Sequence, residues 1–203
     1  LYATLIVRHP VNNKLYVNFD PEILQLIREA KILQRMQVDV PESARMVMLQ
    51  EAKFKSYHDE LTYVLREYER VTSRVLPVTA KLLQPLIRDL ELKLRPGMVT
   101  LTWTSMNIDA YKHHVHRGLE TLDALITKVN DLIENRIEKN LKVVSKTMLV
   151  VLPRNSTYSL EEFVSLQEQH VRSCTEALAA KNAEVERAVE DLMTTVSEFP
   201  LDP

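Results

Sequence analysis

The sequence predicts an all-α fold in which long helices stack as elongated bundles. Glycine is the first observation, because only 2 of the 203 residues are glycine, whereas average usage is about 7% and tight turns between strands need glycine. The second is that apolar residues recur at helical spacing through most of the chain. The third is that Pro21 and Pro41 are each followed by a glutamate, as in the first turn of helices.

The composition also excludes several classes of function. Neither a phosphate-binding loop nor a dinucleotide-binding motif can be written with Gly97 and Gly118 alone, so we expect no cofactor. A net charge of −2 lacks the basic surplus of nucleic-acid binders. No apolar run approaches about 18 residues, so we expect no membrane partner through a spanning helix. The single cysteine, Cys174, fits a reducing compartment such as the cytoplasm.

Residues 1–19 are a leading segment with little helical pattern. Within it, residues 14–19 alternate apolar and polar side chains like a short extended piece. Asp20 then serves as an N-cap, with Pro21 at the first helical position. The first helix is therefore predicted over about residues 20–36.

A second helix is predicted from Pro41 to about residue 76, since no other proline and no glycine interrupts it. Its apolar residues follow the seven-residue repeat of coiled coils: Phe54, Tyr57, Leu61, Val64, Tyr68, Val71 and Val75. A third helix is predicted over about residues 79–95. Pro85 removes a hydrogen bond within it, so we expect a kink or a break, and the run Arg95-Pro96-Gly97 is expected to end it.

Residues 98–104 alternate apolar residues with threonines, which predicts a second short extended segment. This segment lies in a connector, residues 98–106. The connector is expected to separate two helical bundles, residues 20–97 and residues 107–197.

Two long helices are predicted in the second bundle, over about residues 107–145 and 159–197, with a connector over residues 152–156. Ser159 and Glu162 form a capping box at the start of the later helix. Its apolar residues share one face: Val171, Cys174, Leu178, Val185, Ala188, Leu192 and Val196.

The last predicted helix is acidic, because nine acids oppose three bases between residues 160 and 199. Charge pairs between neighbouring helices contribute little each, so burial of the apolar faces is expected to supply most of the stability. Residues 198–203 are predicted to be a trailing linker. Since the chain does not open with methionine, we expect it to be a section of a longer polypeptide.

The candidate interaction residues lie in a histidine-rich stretch near the start of the fourth predicted helix. They are Lys112, His113, His116 and Arg117, and we interpret them either as a solvated basic face or as a contact with an acidic partner. Glu120 could join the two histidines in binding a metal ion. The spacing differs from that of known zinc motifs, however, and no fourth ligand stands nearby, so no metal site is predicted.

Two further residues have a structural and a functional interpretation. Trp103, the only tryptophan, is predicted to anchor the core between helices, with contact to a partner as the alternative. Cys174 follows His170 by one helical turn, but no third group to orient the pair is evident, so Cys174 is interpreted as a core residue rather than a nucleophile. No set of residues predicts a catalytic site.

Seven blocks of sequence follow one another along the chain: LYVNFDPEI (15–23), LIREAK (26–31), VPESA (40–44), LRPG (94–97), LTWTS (101–105), NID (107–109) and VNDLIENRI (129–137). In this order they resemble the N-terminal tail (stem) region of dynein heavy chains, of the axonemal branch and the outer-arm type.

The resemblance implies a tail segment of a motor whose ATP sites and microtubule-binding stalk lie far downstream, so that the segment itself is no enzyme. It implies dynein intermediate and light chains, neighbouring heavy chains and, indirectly, the doublet microtubule of the ciliary axoneme as partners. In that family the tail is a rod of helical bundles that links the motor to its cargo, and no catalytic residue is defined there.

Two other classes of function stay open at this point. A spectrin-like or tethering bundle would pair with itself and have no affinity for dynein subunits. A helical regulator of a GTPase would act through an exposed arginine such as Arg136, which lies beside the apolar face of its predicted helix.

Overall fold

The computed structural model describes residues 2–150 and 157–199. Within them the chain is mostly helical, which confirms the all-α prediction. The helices are α1 (Pro21–Arg35), α2 (Glu42–Leu49), α3 (Glu51–Ser73), α4 (Ala80–Val99), α5 (Ile108–Asp131), a π-helical segment (Leu132–Glu138), α6 (Lys139–Lys146) and α7 (Leu160–Ser197). None of these helices combines the length and apolar character needed to cross a bilayer. The predicted connector over residues 152–156, and residues 200–203 of the trailing linker, lie outside the described residues.

A two-stranded antiparallel hairpin precedes the helices. It pairs β1 (Ile6–Arg8) with β2 (Leu15–Val17), so that Val7 lies opposite Tyr16. β2 confirms the extended piece expected over residues 14–19. β1 was not predicted, because strand pairing with a partner decides such a short element and three residues carry no clear periodicity.

The two predicted helix caps are confirmed. The Asp20 carboxylate accepts a hydrogen bond of 2.9 Å from the backbone N–H of Glu22, with Pro21 as the first residue of α1. At the start of α7 the Ser159 hydroxyl accepts from the backbone N–H of Glu162 at 3.3 Å, and the Ser159 N–H donates to the Glu162 carboxylate at 2.9 Å. Each cap satisfies backbone donors that have no partner inside the helix.

The single helix predicted over residues 41–76 is instead two helices, α2 and α3, separated at Gln50. The Gln50 N–H bonds to the Val47 carbonyl three residues earlier, at 3.1 Å, which tightens the turn. This change of direction lets α2 pack on α1 around a small cluster: Ala30, Val40 and Ala44, with Leu33 and Met48. The predicted repeat in α3 is buried as expected at Phe54, Tyr57, Leu61, Val64 and Val71.

Helix α4 is continuous through both of its prolines. The break expected as one outcome at Pro85 does not occur, and the end expected at Pro96-Gly97 is wrong, because α4 continues to Val99. Pro85 and Pro96 lie on the exposed side of the helix, where water can bond the carbonyls that proline leaves without an N–H. Gly97 has no positive φ and is buried inside the helix.

The connector predicted over residues 98–106 belongs to the first part of the fold. Its first two residues are helical, and Thr102 forms an isolated bridge with Thr4. The Leu5 N–H also donates to the Leu101 carbonyl at 3.1 Å. The chain divides into two compact units not at this connector but inside α5, as Leu1–Asp123 and Ala124–Pro203. The bonds from residues 4 and 5 explain why the connector stays with the first unit.

The helix predicted over residues 107–145 is confirmed as a continuous helical stretch that includes the π-helical segment. The predicted face of α7 is only partly buried. Ala188 and Leu192 are buried, Cys174 is half-buried, and Val171 is 40% exposed. The shared apolar face is therefore not buried along its whole length, since α7 has more apolar surface than its neighbours within the second unit cover.

Candidate functional site

The candidate residues at the start of α5 have different environments. His113 and Arg117 are exposed and His116 is half-buried, whereas only 9% of Lys112 is exposed. Lys112 stands four residues after Ile108, which is fully buried, and residues four apart share a helix face. The interpretation of Lys112 as part of a solvated basic face is therefore wrong.

Lys112 instead joins two helices of the first unit. Its ammonium group lies 2.9 Å from the Asp109 carboxylate, hydrogen bonds to Glu60 on α3, and stands 4.4 Å from the centroid of the Tyr57 ring. The Tyr57 hydroxyl donates to the other Asp109 oxygen at 2.8 Å. We call these four residues the lysine cluster. Each of its charges has an opposite charge beside it, as a half-buried ionic group requires.

The pKa values within the lysine cluster favour its charged form. The hydrogen bond from Lys112, followed by that from Ser56, lowers the pKa of Glu60. Hydrogen bonds from Lys112 and then Tyr57 lower the pKa of Asp109. For Lys112, burial by itself lowers the pKa, but the hydrogen bonds to the two carboxylates outweigh burial and the pKa is raised. The cluster is therefore an ionic link between helices at neutral pH and offers no free base or acid.

The variant Glu60→Gln is expected to make the chain less sensitive to acid. Because the pKa of Glu60 is lower in the folded chain than its ordinary value of 4.5, the unfolded chain binds the proton first. The stabilisation from this carboxylate is then present above the unfolded pKa and is lost as the pH falls through the folded pKa. Urea unfolding from neutral pH down to about pH 3 should show a smaller loss of unfolding free energy for the variant than for the wild type.

The matched control for this measurement is Glu134→Gln. Glu134 is exposed, and no ion pair involves it within the part of the chain that the structure describes. This variant should retain the pH dependence of the wild type. Equal pH dependence in all three proteins would contradict the role given to Glu60.

A cleft of about 460 Å³ opens beside the lysine cluster. Helix α5 contributes His113 and His116 to its walls, and α3 contributes Tyr63 and Val64. The His116 ring lies 6.2 Å from that of Tyr63, and its Nε2 is 3.2 Å from Glu120. The cleft therefore has apolar walls and a rim of imidazole groups, a shape that can accept an apolar side chain of another protein.

Trp103 does not line this cleft but belongs to the core. The residue is 2% exposed, its indole N–H donates to the Asn18 carbonyl at 2.8 Å, and its ring meets Phe19 edge-on at 4.8 Å. This burial agrees with the prediction of a core anchor and leaves no indole surface for a partner. The candidate surface is thus reduced to His113, His116 and Arg117.

Cys174 and His170 lie close together in the second unit, as their spacing suggested. The thiol sulfur is 3.5 Å from His170 Nε2, and the same nitrogen is 3.0 Å from the Met148 carbonyl. A carbonyl oxygen accepts hydrogen bonds only, so Nε2 carries the proton and does not serve as a base for the thiol. Within residues 2–150 and 157–199, no three His, Cys, Asp or Glu side chains are grouped to hold a metal ion.

Sequence reasoning did not find the α3 side of this site. Tyr57 was assigned to an apolar repeat, and Glu60 and Tyr63 were not singled out. The three-residue spacing of Asp109 and Lys112 is the one local signal, since residues three apart on a helix can pair. The pairing of Lys112 with Glu60, 52 residues away, depends on how α3 and α5 pack.

Comparison with known proteins assigns the family. Residues 1–111, more than half of the chain, match the model of "Dynein heavy chain, N-terminal region 1". The chain belongs to the dynein heavy-chain family. The resemblance seen in the seven sequence blocks is thereby confirmed, and the matched part is the N-terminal region of a dynein heavy chain rather than its ATPase motor.

Individual relatives are axonemal. The dynein heavy-chain segment is 47% identical to the "Dynein gamma chain, flagellar outer arm" of Chlamydomonas reinhardtii over 98% of its length. It is 37% identical to "Dynein axonemal heavy chain 8" of Mus musculus over 95% of its length, and 33% identical to "Dynein axonemal heavy chain 5" of the same organism over 100%. It spans 4% of each relative. The segment is therefore a component of the axoneme of cilia and flagella.

The two alternative classes of function are not supported by these findings. Membership of the dynein heavy-chain family argues against the hypothesis of a spectrin-like bundle unrelated to a motor. Arg136, considered above as the residue of a GTPase regulator, forms an ion pair of 2.8 Å with Asp191 on α7, which is a structural role between neighbouring helices.

Proposed function

We propose that this segment is a non-enzymatic, structural part of the tail of an axonemal dynein heavy chain. In this role it helps to hold intermediate and light chains, contacts neighbouring heavy chains, and links an ATP-driven microtubule motor to the ciliary doublet. The observation that supports the proposal is the 47% identity with a flagellar outer-arm chain over 98% of the segment. The similarity follows the whole chain and is not confined to one motif.

The bonding between helices in the first unit agrees with a mechanical role. Asp123 on α5 accepts from Arg70 on α3 at 2.9 Å and also from Arg74. On another side, Glu91 on α4 accepts from Arg8 of the hairpin at 3.2 Å and from the Tyr68 hydroxyl at 3.0 Å. Such links fix the register of neighbouring helices, so that force along one helix is shared with the next.

A deletion in the full-length heavy chain tests the proposal. Cells that express a heavy chain without this segment should assemble fewer dynein arms on their doublets, as seen by electron microscopy of axonemes, while the isolated motor retains ATPase activity. A heavy chain with the triple substitution His113→Ala, His116→Ala and Arg117→Ala should retain less intermediate chain when it is purified. Normal arm assembly after the deletion would overturn the proposal.

A further inference from the structure

A row of apolar side chains on α7 remains uncovered in the second unit. These residues are 40% to 79% exposed: Leu160, Val164, Val171, Val189 and Met193. With 3.6 residues per turn they fall within an arc of about 60° around the helix axis. We call this row the α7 stripe. A solvent-facing helix side normally carries polar residues, so the stripe indicates a surface for another molecule.

The side of α7 next to the stripe is already occupied by the preceding helical stretch. The two run antiparallel, since Arg136 pairs with Asp191 at 2.8 Å near one end of α7 and His170 meets the Met148 carbonyl at 3.0 Å nearer the other. Ala188 is buried on that side. The α7 stripe lies next to this packed side. A further helix can therefore pack on the stripe, in the groove between α7 and the preceding helical stretch.

The open edge of the α7 stripe is acidic. Four exposed glutamates lie along it: Glu161, Glu168, Glu186 and Glu190. Arg172 is the one basic residue that helical spacing places on the same edge. No ion pair engages these glutamates within the described part of the chain. Their charge is therefore available to a partner.

We propose that the α7 stripe binds an amphipathic helix of another polypeptide, whose apolar face is flanked by lysine or arginine. Apolar contacts supply the affinity in this mode of recognition, and the charges beside them select the partner and its orientation. The inference stands apart from the proposed function, because it concerns only which helix chemistry α7 accepts.

A second copy of the chain is a poor occupant of the α7 stripe. In an antiparallel pair of α7 helices, the two acidic edges would lie side by side and repel. In a parallel pair, the acidic edge of each copy would face the non-acidic edge of the other copy. That edge is already covered by the helical stretch that precedes α7 in the same copy. Charge and packing therefore both favour a basic helix over a second copy of this chain.

Designed peptides test the proposal with the full 203-residue chain. Two labelled helices of about 20 residues share a leucine face, and one has lysine edges whereas the other has glutamate edges. Fluorescence anisotropy should show that the lysine-edged peptide binds about tenfold more tightly or better, with a difference that shrinks at high salt. Val171→Ser combined with Val189→Ser should weaken its binding about tenfold.

Charge reversal provides the matched control. Glu168→Lys combined with Glu190→Lys should reverse the preference between the two peptides. Glu134→Lys combined with Glu198→Lys makes the same change in net charge away from the stripe and should leave the preference unchanged. The proposal is overturned if the lysine-edged peptide does not bind, if binding ignores the stripe variants, or if sedimentation shows a dimer that the stripe variants dissociate.

Discussion

Replacing Trp103 by alanine is expected to lower the free energy of unfolding by about 3–5 kcal/mol, the usual cost of truncating a buried tryptophan. The ring is 2% exposed and packs edge-on against Phe19 at 4.8 Å. Its removal leaves a cavity and also deprives the Asn18 carbonyl of the 2.8 Å bond from the indole N–H. Urea unfolding followed by far-UV circular dichroism measures the loss, because the variant has no tryptophan left for fluorescence.

A second variant separates the two parts of this effect. Trp103→Phe retains much of the aromatic packing but removes the indole N–H, so its cost should be smaller, at about 1 kcal/mol for the loss of the hydrogen bond to the part-buried Asn18 carbonyl. Tyr2→Ala is the control, since Tyr2 is 89% exposed and exposed positions are usually within about 0.5 kcal/mol of neutral. A Trp103→Ala variant as stable as this control would contradict the core assignment.

Gly97→Ala is expected to destabilise the chain by about 2 kcal/mol, although alanine favours helices. A Cβ atom at position 97 would lie 2.3 Å from the Tyr111 hydroxyl oxygen, 2.8 Å from its ring carbon Cζ and 3.2 Å from Ile6. Tyr111 has little freedom to move, since it is buried and its hydroxyl donates to the Leu94 carbonyl at 3.0 Å. Overpacking typically costs about 1–3 kcal/mol, and helix propensity offsets at most about 1 kcal/mol. Thermal and urea unfolding measure the difference.

Gly118→Ala is the matched control, because it makes the same change inside α5. There the nearest atoms to a new Cβ are a Leu90 methyl at 3.2 Å and the Lys93 side chain at 3.4 Å, and side-chain ends can shift. Its effect should be close to neutral. In a Tyr111→Phe background the cost of Gly97→Ala should fall, since the hydroxyl at 2.3 Å is gone. An unchanged cost in that background would show that the hydroxyl is not the cause, because phenylalanine retains the ring carbon Cζ that lies 2.8 Å from the new Cβ.

The sequence was sufficient for features that depend on neighbouring residues. Asp20 and the pair Ser159 and Glu162 cap α1 and α7 as predicted, because a cap is made within one helical turn. The buried repeat of α3 was predicted for the same reason, since helical spacing alone decides which residues share a face. The seven sequence blocks were likewise sufficient to indicate the dynein heavy-chain family.

Only the tertiary structure decided the features that join distant residues. Gly97 looked like a helix end, but the approach of Tyr111 shows that it is a point of close packing. Lys112 looked solvated, but Glu60 and Tyr57 of α3 enclose it. The physical reason is common to both cases. Local sequence determines the backbone conformation and which residues share a helix face. The packing of helices that are far apart in sequence determines which side chains are buried, which atoms come too close and which charges pair.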